Sequence, residues 1–255
     1  ESVGVSLGSV VVGAKQEDPP SVSGVSKAYN GGSAYVFSKN ANNTWVQTQK
    51  LVAPDREMDD WFGEAIEMDG NTLLIAAPRE DHDTSGQNYL DRAGSIYSFK
   101  KDMLGNWIFD QKIVGNPRKV DQLLGKWMDF EGDKLISGFA SDALDVQGLN
   151  YVANAGSAQI FEQNDTSGKF STLLEINADL RQQGVYFGHS ASVYDNTYVV
   201  GSPWDNTDQN NSNPMAYTGS VRVFGPCLPQ RITHTENFCK SYQSPVSNKI
   251  WYTTG

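Results

Sequence analysis

The chain has 255 residues and a formal net charge of −10 at pH 7. This negative balance argues against binding to nucleic acid, because affinity there comes largely from cations that neutralise phosphates. No apolar run approaches the roughly 20 residues needed to cross a bilayer. Aromatic residues make up 11% of the chain, which is too many for a disordered protein. The composition therefore predicts an acidic, folded chain of one large domain or two small ones.

A short motif recurs four times along the chain, as a Gly-Ser pair followed by a strand that ends in phenylalanine. The glycines of this pair are Gly32, Gly94, Gly156 and Gly219, so the steps are 62, 62 and 63 residues. An apolar segment precedes each pair in the same register, at 10–14, 73–77, 135–139 and 198–202. Phe-Gly or Leu-Gly dipeptides keep the same step at 62–63, 124–125 and 187–188. Several series with one step indicate internal repeats.

Each repeat is predicted to contain four short strands, which are clearest in the second repeat. The first strand is predicted over 64–68, and Asp69-Gly70-Asn71 supplies the next turn because these residues tolerate positive φ. Residues 72–77 form a continuous apolar run, as in a strand buried on both faces. A long polar loop leads to the third strand at 94–99, and the fourth is predicted over 107–113.

Four-stranded units that repeat about every 60 residues are typical of the blades of a β-propeller. The predicted fold class is therefore all-β, with four blades of about 62 residues at about 1–61, 62–123, 124–186 and 187–226. Residues 227–255 are predicted to form a tail or linker. We expect the repeated glycine to let a neighbouring backbone pass close to the start of a strand. The phenylalanines expected to fill the space between blades are Phe37, Phe99, Phe161 and Phe224.

The order of these motifs resembles the FG-GAP repeat of the integrin α-subunit β-propeller. The best copy combines Phe187-Gly188, Val200-Gly201-Ser202-Pro203 and Gly219-Ser220. The resemblance covers about residues 1–226, and it is specific for fold more than for function, because propellers support many functions. Propellers of this family usually have seven blades, and the first repeat begins after the position of its Phe-Gly. The resemblance therefore implies that the four blades are part of a larger ring.

The family's calcium-binding repeats carry an Asp-x-Asp-x-Asp-Gly loop between the first two strands. The corresponding turns here are the short 69–71, 131–133 and 195–196, which do not supply the six or more oxygens that Ca²⁺ prefers. The family's calcium sites are therefore not expected, and no cofactor is predicted. A separate candidate metal site lies in the long loop of the second repeat, where the oxygen-bearing residues are Asp81, Asp83, Ser85 and Asp91. The alternative is a solvated turn.

The compartment is predicted from cysteines and glycosylation sequons. Cys227 and Cys239 are 12 residues apart in the tail, and a disulfide between them would close a small loop. N-glycosylation sequons begin at Asn42, Asn164 and Asn210, all in predicted loops. Together they favour a secreted or cell-surface protein over a cytosolic protein with two reduced thiols.

The loops between strands two and three are the longest in each repeat and are expected to emerge on one face of the ring. Each carries a tyrosine near its end, and one adds a tryptophan: Tyr29, Tyr89, Tyr151, Trp204 and Tyr217. Amphipathic aromatic side chains suit a protein interface or stacking on a sugar ring. The alternative is that each tyrosine only fixes its own loop against the blade.

Three functions remain open from the sequence. The first is a non-enzymatic extracellular propeller for adhesion or assembly, which binds a protein partner through the loop face. The second is a lectin that uses the loop aromatics. The third is a glycan-processing enzyme with paired carboxylates at the ring centre. The candidate carboxylates for such an enzyme are acidic residues that we align at equivalent positions of the first strands, namely Glu1, Glu64 and Asp129.

Overall fold

The fold consists of β-strands and irregular connections. The computed structural model describes residues 2–18, 29–144, 151–178, 181–206 and 219–225, and in addition the strand residues 241–243 and 250–252. The described residues include no helix. None of them therefore belongs to a helix long and apolar enough to span a membrane.

Seventeen strands form five antiparallel sheets, each built from consecutive strands. The first blade contains β1 (Val3–Ser6), β2 (Ser9–Ala14), β3 (Ser33–Lys39) and β4 (Trp45–Leu51). The second contains β5 (Ile66–Asp69), β6 (Thr72–Ala77), β7 (Ser95–Lys101) and β8 (Trp107–Val114). The third contains β9 (Trp127–Glu131), β10 (Lys134–Phe139), β11 (Ser157–Gln163) and β12 (Phe170–Asn177). The fourth sheet contains β13 (Ser190–Tyr194), β14 (Thr197–Ser202) and β15 (Ser220–Phe224), and a separate sheet contains β16 (Ser241–Gln243) and β17 (Ile250–Tyr252).

The predicted all-β fold of propeller-type blades is confirmed. The predicted apolar strand in the second repeat coincides with β6, and β8 begins at Trp107 as predicted. The fourth sheet has three strands among the described residues, where four were expected. Within residues 227–255, β16 and β17 pair in a two-stranded sheet, and the assignment of this segment as a tail or linker stays a prediction.

The blades pack side by side with their first strands innermost. β1 contacts β5, β5 contacts β9, and β9 contacts β13, while the fourth strand of each complete sheet lies at its outer edge. The register repeats from blade to blade, because Val36, Ser98 and Ile160 all immediately precede an irregularity in the pairing of the third and fourth strands. The sequence repeat is therefore a repeat of backbone geometry as well.

The hydrophobic core lies between the blades rather than within them. Three clusters of buried side chains join the first blade to the second, the second to the third, and the third to the fourth. Phe99 and Phe161 are 3% and 0% exposed and lie in the first two clusters, and Phe224 packs against the third. This confirms their predicted position between blades. Phe37 is only half-buried, because its blade is the first of the row.

The burial of the second strands reflects these neighbours. Every residue of β6 and β10 is buried, as predicted for strands covered on both faces. In β2 and β14 buried residues alternate with half-buried ones. The first and fourth blades are covered on one face, because each has a single neighbouring blade among the described residues.

Each blade is fixed to the next by a short parallel contact. The glycine of the Gly-Ser pair forms a parallel bridge with the first residue of the following Phe-Gly or Leu-Gly dipeptide: Gly32 with Phe62, Gly94 with Leu124, and Gly156 with Phe187. A Cβ atom on Gly32 would lie 2.1 Å from the carbonyl oxygen of Phe62, so no side chain fits there. The predicted role of this glycine in a close backbone approach is confirmed.

Candidate functional site

The loops between strands two and three lie at the same end of the blades as the linkers that join consecutive blades. We define the loop face as the described residues of these segments, namely 15–18, 29–32, 52–65, 78–94, 115–126, 140–144, 151–156, 181–189 and 203–206. The turns between strands one and two and between strands three and four lie at the opposite end. The loop face, rather than the opposite end, combines long loops, buried charges and exposed aromatic rings.

A carboxylate after the second strand closes each long loop. The four carboxylates are Glu17, Glu80, Asp142 and Asp205, which keep the 62 to 63-residue step. In each case the backbone carbonyl accepts a hydrogen bond of 2.8 to 3.0 Å from the amide of the glycine in the Gly-Ser pair. The serine hydroxyl then donates to the carboxylate in three blades, from Ser95 at 2.8 Å, Ser157 at 2.6 Å and Ser220 at 2.7 Å. The Gly-Ser motif therefore fixes both ends of the loop.

A buried lysine neutralises the carboxylate in the second and third blades. Lys112 lies 2.9 Å from Glu80 and 2.7 Å from Asp55, which comes from the linker before the blade. Burial disfavours the charge of Asp55, but the hydrogen bonds from Lys112 and Tyr97 outweigh it and hold the pKa of Asp55 below its ordinary value. The loop face is thus tied to the blade by the ion pairs of Lys112 with Asp55 and Glu80.

The third blade uses the opposite arrangement of charge. Lys50 and Lys112 lie at equivalent positions on the fourth strands of the first two blades, and Glu175 takes this position in the third. The compensating cation is Lys119 from the preceding linker, which lies 2.7 Å from both Asp142 and Glu175. All three side chains are at least nine-tenths buried.

Three arginines fix the linkers to the loops. Arg56, Arg118 and Arg181 keep the repeat step, and each donates to a backbone carbonyl of the loop after strand two. The acceptors are the carbonyls of Glu17 at 2.8 Å, Asp81 at 2.7 Å and Asp142 at 3.5 Å. Arg118 also donates to the carbonyl of Asn88 at 2.7 Å. These contacts preorganise the loop face.

A groove of about 1020 Å³ lies on the loop face between the second and third blades. Its walls come from the loops of both blades and from the linker between them, and its floor includes the buried Lys119 and Asp142. Leu90, Leu144 and Tyr151 supply apolar surface along the walls. An open groove with apolar walls and a rigid polar floor is suited to binding a partner.

A charged pair forms one rim of the groove. Arg92 lies 2.7 Å from Asp121 of the linker and 3.5 Å from Asp91 of its own loop. These side chains remain roughly half exposed, so the pair contributes little to stability. Both charges are accessible to a ligand at the rim, where polar groups fix the orientation of a partner.

The structure brings one of the predicted aromatic residues into the groove. Tyr151 lines it and is 73% exposed. Tyr89 is 61% exposed and packs edge-on against His82 beside the groove. Tyr29 belongs to the loop of the first blade, and Trp204, in the fourth, packs edge-on against Tyr186. Tyr217 lies outside the described residues.

The candidate metal ligands in the second loop mainly bind groups of their own loop. Asp83 accepts hydrogen bonds from the amides of Ser85 and Gln87 and from the Ser85 hydroxyl at 2.6 Å. The hydrogen bonds from Ser85 and Asn88 hold the pKa of Asp83 below its ordinary value. Asp81 accepts from the amide of Arg92, while its partial burial raises its pKa.

Within the described part of the chain, no three His, Cys, Asp or Glu residues are grouped so that they could hold a metal ion. Calcium binding by Asp81, Asp83, Ser85 and Asp91 stays a prediction.

The predicted modification sites fall partly outside the described residues. Asn42 and Asn164 are exposed in turns between strands three and four, at the end opposite the loop face. Asn210, Cys227 and Cys239 lie outside the described residues, so the third sequon and the disulfide stay predictions.

The carboxylates considered for an enzyme do not occupy equivalent positions. In the third blade, Asp129 pairs with Ile136 of the second strand. The residue equivalent to Ile136 in the second blade is Leu74, and it pairs with Glu67 rather than with Glu64. The alignment of Asp129 with Glu64 was therefore wrong. Glu64 pairs with Lys15 at 2.6 Å.

Asp129 accepts hydrogen bonds from the hydroxyl of Ser192 and the amide of Val193, at 2.5 and 2.7 Å. Glu1 lies outside the described residues. The two described carboxylates, Glu64 and Asp129, are thus engaged in contacts that join neighbouring blades.

Comparison with known proteins identifies the repeat. The family model described as FG-GAP repeat matches residues 45–99, which run from β4 of the first blade into β7 of the second. FG-GAP repeats form β-propeller modules that are generally non-catalytic, take part in protein interaction and typically occur in extracellular proteins. No curated protein matches the sequence.

Among solved structures, the chain is similar to Sqt1 of Saccharomyces cerevisiae, with 11% sequence identity and a TM-score of 0.41. The match covers 80% of this chain and 42% of that one, so the chain spans less than half of its length. Residues 45–99 match the FG-GAP repeat, and the sequence repeat and the antiparallel sheets of the chain continue with the same step on either side of this match.

Proposed function

We propose that the chain is a non-enzymatic extracellular β-propeller module that binds a protein partner through the groove between its second and third blades. In this role it serves adhesion or the assembly of a larger surface or extracellular structure. The observation that carries the proposal is the groove itself, which combines apolar walls, an exposed tyrosine and a charged rim above the buried ion pair of Lys119 and Asp142.

The chemistry of the groove favours a polypeptide as its ligand. Tyr151 offers a large ring that loses little conformational freedom on binding, and Leu90 and Leu144 offer apolar area next to it. Arg92 and Asp121 supply both signs of charge at the rim. A protein interface of ordinary composition has an apolar centre and a polar rim of this kind.

The sequons support the proposed extracellular location, and glycans on Asn42 and Asn164 would not obstruct the groove. Asn42 and Asn164 are at the opposite end of the blades from the loop face. Glycans on these side chains would therefore leave the groove accessible. FG-GAP repeats typically occur in extracellular proteins, which agrees with this location.

A lectin is the second candidate, and the exposed tyrosines favour it. Tyr89 and Tyr151 are 61% and 73% exposed on neighbouring loops, and such rings can stack on the apolar face of a sugar. The two candidates differ in what the groove recognises, so one experiment separates them.

The experiment measures saturable binding of the fluorescently labelled protein to a panel of intact animal and microbial cells. Binding is compared after the cells are treated with protease and, separately, with glycosidases. A protein partner predicts that protease removes binding and that glycosidases leave it unchanged. A lectin predicts loss with glycosidases and inhibition by free sugars.

Variants connect the result to the groove. Tyr151→Ala and Leu144→Asp are expected to weaken binding about ten-fold or more, as for central residues of an interface. Tyr194→Ala is the matched control, because Tyr194 is also 73% exposed but lies at the opposite end of the blades. Equal loss in Tyr151→Ala and Tyr194→Ala, or no saturable binding to any cell, would contradict the proposal.

A further inference from the structure

One buried lysine of the third blade is held between two buried carboxylates. The Nζ atom of Lys119 lies 2.7 Å from Oδ2 of Asp142 and 2.7 Å from Oε1 of Glu175. The side chains of Lys119, Asp142 and Glu175 are 7%, 3% and 4% exposed. A buried ion pair carries a desolvation cost that its Coulomb attraction does not always offset. A reaction that converts the pair into a neutral group would remove this cost.

The carboxyl group of Asp142 is hydrogen-bonded on both oxygens. Oδ1 accepts from the amide of Leu144 at 3.0 Å, and Oδ2 accepts from the hydroxyl of Ser157 at 2.6 Å. If a nucleophile attacks the carboxyl carbon, the Leu144 amide is placed to stabilise the negative charge that develops on Oδ1, as the donors of an oxyanion hole do. The carboxyl group is therefore oriented as an acyl donor.

The nucleophile within reach is the amine of Lys119. A nitrogen that contacts a carboxylate oxygen in this way is about 3–3.5 Å from the carboxyl carbon, which is the separation of a near-attack geometry. Because the amine reacts only after it loses a proton, the site also needs a base.

Glu175 is placed to be this base. Its Oε1 faces Nζ of Lys119, and its Oε2 accepts a hydrogen bond from Nε2 of Gln159 at 2.9 Å. This second contact fixes the carboxylate with one oxygen directed at the lysine. A carboxylate within hydrogen-bond distance of an ammonium group can accept its proton and release the amine.

We propose that Lys119 and Asp142 condense into an intramolecular isopeptide bond, with Glu175 as the group that carries the proton. Nζ bonds to Cγ of Asp142, and the bond from Cγ to Oδ2 breaks. Two of the three ammonium protons pass to Oδ2, one of them through Glu175, and Oδ2 leaves as water. The third proton stays on the amide nitrogen, and Glu175 ends as the carboxylate that it was at the start. The step needs no other reactant.

The fold supplies the conditions that favour this condensation. Fixed contact between the reacting groups corresponds to an effective concentration on the order of 10⁵–10⁸ M, and burial limits the return of water. The neutral amide also replaces a buried ion pair. The bond joins residues 23 positions apart and ties the linker before the third blade to the loop after β10. It closes the floor of the groove covalently, whatever the groove binds.

The second blade provides an internal contrast. Lys112 lies between Glu80 and Asp55, at 2.9 and 2.7 Å, so it also contacts two carboxylates. The side chain of Asp55 is 36% exposed, however, whereas each of the three side chains at Lys119 is at least nine-tenths buried. Water that reaches Asp55 opposes a condensation in which water is the product. We therefore expect one bond in the chain, at Lys119.

The test measures the intact mass of the folded full chain, produced without glycosylation and then reduced and denatured. Most molecules are expected to be lighter than the sequence mass by about 18 Da, the mass of one water. Cyclisation of an aspartate at Asp69-Gly70 would release the same mass, so tandem mass spectrometry of a protease digest must locate the change. The expected product is a branched peptide that joins Lys119 to Asp142. The full sequence mass in most molecules, or a loss of water located only at other residues, would overturn the proposal.

Variants assign the chemistry to the triad. Lys119→Met removes the nucleophile, and Glu175→Gln keeps the size of the side chain but removes the base, so both are expected to show their full sequence mass. Glu162→Gln is the matched control for Glu175→Gln. Glu162 lies in the same blade and also contacts a lysine, Lys134, at 2.7 Å, but its side chain is 43% exposed. This variant is expected to lose one water, as the native chain does. Loss of water from folded Glu175→Gln to the native extent would overturn the role of Glu175, and loss from Lys119→Met would overturn the bond.

Discussion

The ammonium group of Lys119 lies 2.7 Å from the carboxylate of Glu175, although the two residues are 56 positions apart. Lys119 comes from the linker before the third blade, and Glu175 lies on the fourth strand of that blade. Their pairing, shared with Asp142, forms part of the floor of the groove. The first two blades place a lysine on the strand instead, so in the third blade the lysine of the network comes from the linker and a carboxylate takes its place on the strand.

This relationship predicts a large effect of Lys119→Met on stability. The substitution keeps much of the side-chain volume but leaves two buried carboxylates without a cation, which costs about 3–5 kcal/mol. The free energy of unfolding in urea at pH 7 measures it. Lys169→Met is the control, because Lys169 is 46% exposed and pairs with Asp110 at the surface, so its loss costs about 1 kcal/mol or less. Equal losses in the two variants would contradict the assigned burial.

The contact between blades predicts that two glycines with similar backbone conformation differ in their tolerance of alanine. Gly94 and Gly105 have φ values of +81° and +88°, so alanine is strained at both, by about 1–2 kcal/mol. At Gly94 the added Cβ would also lie 2.4 Å from the amide nitrogen of Leu124, while at Gly105 it would meet open space. Thermal unfolding should show a larger loss for Gly94→Ala, because only that variant separates the second and third blades. A larger loss for Gly105→Ala would argue against the parallel contact.

The fold was predictable because its determinants are local and repeated. The Gly-Ser and Phe-Gly series keep one step, and the apolar run at β6 has the length and composition of a buried strand. The carboxylates after the second strands keep the same step and could have been found in the same way. The groove was not predictable, because it forms between loops of two blades. The partnership of Lys119 with Glu175 breaks the repeat, so no series in the sequence indicates it.

The half-buried carboxylate of Glu67 predicts a pH-dependent loss of stability. Burial, with a smaller contribution from the nearby charge of Asp129, raises the pKa of Glu67 from 4.5 to about 7. The folded state therefore binds the proton more tightly than the unfolded state does. Its stabilising contribution is fully present below about pH 4.5 and is lost as the pH rises to about 7.

Glu67→Gln removes this dependence. At pH 8 the variant is expected to be more stable than the native protein by about 1–2 kcal/mol, after allowance for solvent screening of a partly buried group. At pH 4 the two should be equal. Urea unfolding at several pH values gives the difference curve. A difference that does not grow between pH 4.5 and 7 would contradict the raised pKa.

Two tryptophans at equivalent positions test whether the first blade has an uncovered face. Trp45 and Trp107 begin the fourth strands of the first two blades, and each ring lies beneath a lysine ammonium, at 5.5 Å for Lys39 and 5.3 Å for Lys101. Their burial differs, because Trp107 is 2% exposed in the core between the first two blades and Trp45 is 46% exposed.

Trp107→Ala is therefore expected to cost about 3–5 kcal/mol, as for a large core side chain. Trp45→Ala is expected to cost about 1 kcal/mol or less, because it removes a ring that only its own blade supports. Since the cation–π contact is common to both sites, the difference between the two values measures the packing of one blade on the next. Urea unfolding of the two variants provides it, and a cost for Trp45→Ala as large as that for Trp107→Ala would show that the face of the first blade is covered in solution.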